Sequence, residues 1–95
     1  MNNHNYEMTS HAHIRLQQRG IKPEVVNLVL SEADKFLPCK GGATSVFVSR
    51  KKIKSLENKR AYSPQLIAKA LGIVLVQSDD AVITAFHKKR RFRMN

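Results

Sequence analysis

Ile73-Val74-Leu75-Val76-Gln77, Ser78-Asp79-Asp80 and Ala81-Val82-Ile83-Thr84-Ala85-Phe86 follow one another in the chain, and their reading decides the fold. Two apolar, β-branched runs flank a short polar turn, the pattern of an antiparallel hairpin. Immediately before it, Ser63-Pro64 opens a helix carrying Leu66, Ile67, Ala70 and Leu71, which Gly72 closes. Immediately after it, Lys88 to Arg93 make a basic tail around Phe92.

Further towards the N-terminus the same reading continues. Pro23 suits the first turn of a helix and Glu24 complements its dipole. Val25, Val26, Leu28, Val29, Leu30 and Ala33 make that helix apolar almost all round, as a core helix on a sheet is, although its β-branched content also suits a strand. Lys35 to Pro38 reads as a short strand and Gly41-Gly42 as a turn. Ala43 to Ser49 reads as a second strand, with Val46 and Val48 on one face and Phe47 on the other. Arg50 to Lys59 is basic, and Ile53 and Leu56 give it the spacing of a short amphipathic helix. The order predicts an α+β domain: two N-terminal helices packed on an antiparallel sheet of about four strands, with short helices inserted between the strand pairs. Met1 to Glu7, polar and rich in Asn, begin a flexible arm spanning residues 1–9. Residues 10–95 then form one domain with the basic tail at its end.

The chain has 95 residues, 17 Lys plus Arg against 7 Asp plus Glu, and a formal net charge of +10. So large a charge on one small domain costs self-repulsion that a polyanion would relieve, and nucleic acid or the ribosome is the first candidate. No basic amphipathic helix with a Trp, Phe or Leu face of the kind that enters a membrane surface, and no membrane-spanning run, is visible, so a membrane is not an expected partner. One cysteine, Cys39, excludes an intrachain disulfide and suits a reducing cytoplasm. Beside Pro38 and the Gly pair, Cys39 reads as a partly buried small hydrophobe rather than a nucleophile. His4, His11, His13 and His87 with a single Cys lack metal-ligand spacing, so neither a metal nor another cofactor is expected.

Ser10-His11-Ala12-His13-Ile14-Arg15-Leu16-Gln17-Gln18-Arg19-Gly20-Ile21 carries the strongest chemical signal. Thr9 or Ser10 can cap a helix there and Gly20 can stop it. His11, Arg15, Gln18 and Arg19 fall within roughly 100° of arc on one helix face, whereas His13 lies about 200° round from His11. A proton-transfer group beside two permanent cations is what binding or cleaving a phosphodiester requires. The same arginines would also serve as solvated residues covering a sheet edge or pairing with Glu24, Glu32 or Asp34.

That helix, the Gly41-Gly42 turn and the Val82-Ile83-Thr84 strand running into Lys88-Lys89-Arg90 resemble a bacterial family of small, basic, largely uncharacterised proteins sharing a domain of unknown function. The likeness extends over residues 10–93, and that family is similar to the RelE and barnase-like ribonuclease fold, which includes many toxins of toxin–antitoxin pairs. Ala85-Phe86-His87 departs from it, a glycine and a histidine being more usual there. Position by position, the resemblance implies catalytic roles for His11, Arg15, Arg19 and Thr84. It implies fold more firmly than reaction.

The expected function is a metal-independent endoribonuclease, or a toxin descended from one. His11 would be acid or base, Arg15 and Arg19 charge stabilisers, and Thr84 a positioning hydroxyl. His87, Tyr62 or a lysine would supply the second proton transfer. The alternative is a non-catalytic RNA- or DNA-binding module. In it Arg50, Lys51, Lys52, Lys54, His87, Lys88, Lys89, Arg90 and Arg91 touch phosphates, and Phe47, Phe86 or Phe92 offers a stacking platform. A third reading sets the charge against an acidic protein partner such as an antitoxin tail.

Overall fold

Thr9 begins the first helix: its Oγ1 accepts the Ala12 backbone N–H at 3.1 Å, and α1 (Ser10–Gln18) follows. A computed structural model describes residues 7–79 and 81–88. At the other end of α1 the Ile21 N–H donates to the Leu16 carbonyl (2.9 Å) and the Gly20 N–H to that of Gln17 (3.2 Å). This doubly bonded stop needs a left-handed residue, and Gly20 supplies it with φ of 68°. Leu16 and Ile21, which flank the stop, are both buried in the core. A Cβ at Gly20 would meet no atom within 4 Å. Gly20→Ala is therefore expected to cost backbone strain alone, about 1–2 kcal/mol. Urea unfolding checks this: the midpoint should fall at unchanged slope.

Pro23 opens α2 (Pro23–Glu32), which buries Val25, Val26, Leu28 and Val29. The helical reading of this β-branched run holds because its apolar side chains lie on a face covered by the sheet. Strands β2 (Lys35–Pro38) and β3 (Thr44–Phe47) are joined through a 3-10 turn at Lys40–Gly42. β3 is shorter than the sequence pattern suggested, since Ser49 is taken up as the cap of α3 (Arg50–Lys59). Its Oγ accepts the Lys52 N–H at 3.1 Å. The Ser49 N–H and hydroxyl both donate to the Asp34 carboxylate, at 2.8 and 2.7 Å. The Ser49 hydroxyl holds the Asp34 carboxyl below its ordinary pKa and ties the start of β2 to the start of α3.

Ser63 caps α4 (Pro64–Ala70), which ends one residue short of Leu71; Leu71 is left exposed where the chain turns at Gly72. β4 (Ile73–Ser78) and β5 (Ala81–His87) then form the antiparallel hairpin. Strands β2 to β5 make a continuous antiparallel sheet in the order β5-β4-β3-β2. β1 (Glu7–Met8) adds to its edge, parallel to β5. The arm expected over residues 1–9 is therefore structured from Glu7 onward; residues 1–6 lie outside the described residues.

The protein is thus an α+β domain with one core, in which Val46, Ile73, Leu75 and Ala85 of the sheet meet Val25, Val26, Leu28 and Val29 of α2. α2 lies over β3, β4 and α4, while β5 is met by α1. The hairpin's cover is therefore shared between the first two helices, not supplied by α2 alone. The reason lies in α1 itself, which turns Ala12 and Leu16 inward. No helix among the described residues is long and apolar enough to cross a membrane.

Candidate active site

Between α1 and β5 lies an open groove of about 530 Å³, lined by His11, Arg15, Arg19, Ile83, Thr84 and Phe86. Helical spacing brings the first three together: each is one turn on from the last, and the buried Ala12 and Leu16 fix which face they share. The strand side owes its shape to an irregularity. Thr84 pairs with Val76 and Val82 with Gln77, so Ile83 is an extra residue bulged out of β5. Such a bulge twists the strand and re-aims its side chains, here Ile83 and Thr84 towards the groove. The bulge has no evident signature in the sequence; Ile83 was not expected to line the site, and Phe86 was expected only as a stacking platform.

The polar geometry is specific. Arg15 is partly buried and donates its Nε–H to His11 Nε2 at 3.2 Å. Accepting that bond takes a lone pair on His11 Nε2, the arrangement of the tautomer with its ring proton on Nδ1. Arg19 donates an Nη1–H to the Ala85 carbonyl on β5. That bond uses one of five guanidinium donors and leaves the rest for an anion. Neither arginine is drawn off by the acids considered from sequence. Glu32 accepts from Tyr62 at 2.8 Å and pairs with Lys52 at 3.7 Å, while Asp34 is held by Ser49. Two guanidinium groups, one imidazole and one hydroxyl thus converge on a solvent-open groove.

Other predicted site residues fall elsewhere. His13 is exposed and does not line the groove. Tyr62 is excluded as the second proton-transfer group here. It lines a separate cavity of about 710 Å³ with Glu57, Arg60 and Ile67, and burial together with the Glu32 bond pushes its phenol up to about 12. Arg50, Lys51, Lys52 and Lys54 lie on α3, and none of them lines the groove. Lys52 is engaged by Glu32, so the run is less free for phosphate than its composition suggested. His87 and Lys88 are exposed at the end of β5. Lys89, Arg90, Arg91 and Phe92 lie outside the described residues. Cys39 is exposed, not partly buried, with its Sγ 3.0 Å from Ser45 Oγ at the sheet edge. Among the described residues no three His, Cys, Asp or Glu side chains gather as metal ligands would.

Compared with family models, curated proteins and solved structures, the chain matches none.

Proposed function

We propose that this protein is a metal-independent endoribonuclease whose reactive phosphate sits in the groove between α1 and β5. The observation that carries the reading is the convergence of His11, Arg15, Arg19 and Thr84 on that groove, with His11 Nε2 accepting from Arg15. An incoming phosphate competes for the Arg15 guanidinium, because a bond between two charged groups is stronger than one to a neutral imidazole. Arg15 then leaves Nε2 free as a general base. Nε2 takes the proton of a ribose 2′-OH, the 2′-oxygen bonds to phosphorus, and the P–O5′ bond breaks. The products are a 2′,3′-cyclic phosphate and a 5′-hydroxyl, the latter protonated by water. Arg15 and Arg19 hold the phosphorane charge, and Thr84 Oγ1 donates to a phosphate oxygen. An acidic inhibitory partner, as in toxin–antitoxin pairs, suits the net charge of +10.

A second reading, a binding module without catalysis, has one observation in its favour. Among the described groove-lining residues His11 is the single group suited to proton transfer near neutral pH, whereas cleavage involves two transfers. Incubation of the purified protein with single-stranded RNA in excess chelator separates the readings. Fragmentation is expected; RNA that is bound but stays intact would leave the binding module.

A further inference from the structure

The sheet's second face is not used by the core. Phe47 lies between the buried Val46 and Val48 and so points to the opposite side. The pairing of Val46 with Leu75 and of Val74 with Phe86 sets Phe47, Val74 and Phe86 side by side in one row across β3, β4 and β5. None of the three belongs to the core cluster. Val74 is buried between its neighbours, while Phe86 is 39% exposed. Lys88, two residues beyond Phe86, places its Nζ 4.5 Å from the centroid of the Phe47 ring. Lys35, paired with Phe47 across β2 and β3, extends the row with a second cation. Phe86 also lines the groove of His11 and Arg15, so row and groove are continuous.

We propose that this row is a stacking platform for the unpaired bases that flank the reactive phosphate of a single-stranded RNA. The proposal rests on the groove's reading as a phosphate site and names the form of nucleic acid that fits it. Two aromatic rings on strands about 10 Å apart give flat, apolar contacts, and flanking lysines meet a backbone between them. The row itself, Lys35, Phe47, Val74 and Phe86, contains no acid and is flanked by two lysines, which favours a polyanion over a basic or neutral partner. A duplex keeps its base faces stacked inside and cannot use the rings. Lys88 covers the Phe47 ring in the free protein, so a base stacking there displaces its ammonium, which then meets the neighbouring phosphate.

The test is binding of a short 2′-O-methyl RNA, which lacks the attacking hydroxyl, as a single strand and as a duplex at one fixed salt concentration. Phe47→Leu and Phe86→Leu keep the apolar volume and remove the π-face, and Phe86→Tyr restores it. Each Leu variant is expected to lose about tenfold in single-strand affinity; Phe47→Leu, outside the groove, should bind duplex as the wild type does, and Phe86→Tyr should recover most of the Phe86→Leu loss. If both Leu variants bind the single strand like wild type, the platform is overturned. A defect of Arg15→Ala in the same assay would then leave the phosphate groove standing. If the wild type binds neither RNA, the groove's reading falls and the platform with it.

Discussion

His11→Ala is expected to lower RNA cleavage by about 10²–10⁴-fold, the usual contribution of a positioned proton-transfer group. His11 is exposed, and its ring meets Arg15 through one hydrogen bond, so the folded state should lose little stability. Affinity for RNA should be nearly unchanged, because Arg15 and Arg19 remain to hold the phosphate. Arg15→Ala should instead weaken binding as well as turnover, since a guanidinium holds the ground state too. His13→Ala is the control: the same residue type, two positions along the helix, exposed and outside the groove. Comparing single-turnover cleavage rates of the variants with wild type reads all three. An inactive His13→Ala beside a fully active His11→Ala would place the chemistry on the wrong face.

Leu28→Ala is expected to destabilise the protein by about 2–5 kcal/mol, transfer and cavity terms together. Leu28 is 2% exposed on α2 and belongs to the core that joins this helix to the sheet. Against a total of about 5–15 kcal/mol for a domain, that is a large share. Each kcal/mol should lower the melting temperature by about 4–8 °C in a chain of this size. Leu37→Ala on β2, where the side chain is 53% exposed, should change it little. Equal and small effects at both positions would mean that α2 is not the core helix.

Much of the architecture was legible because it is governed by local chemistry. Thr9, Gly20, Pro23, Ser63 and Pro64 mark helix ends through capping and fixed backbone angles, and each acts where its residue type predicts. The alternation of Val46, Phe47 and Val48 named the two faces of β3 correctly. What escaped the sequence depends on pairing between distant segments. Nothing in Glu7-Met8 signals a strand until β5 presents an open edge, and the bulge at Ile83 is visible only as a slip in register against β4. The helical part of the groove was legible for the same local reason, since a turn of helix fixes where His11, Arg15 and Arg19 lie. Thr84 rested on resemblance, and the fold places it opposite them. The basic run on α3 was read from composition, which cannot show that Lys52 pairs with Glu32.

If His11 draws a proton from a ribose 2′-OH without a metal, the cleaved ends record it. The most direct measurement is the chemistry of the ends made from single-stranded RNA in excess chelator, beside DNA of the same sequence. The expected result is 2′,3′-cyclic phosphate and 5′-hydroxyl ends from the RNA, and DNA that binds but stays intact because it lacks the attacking hydroxyl. Cleavage that requires an added divalent ion, 5′-phosphate ends, DNA cut as readily as RNA, or no cleavage at all would each contradict it.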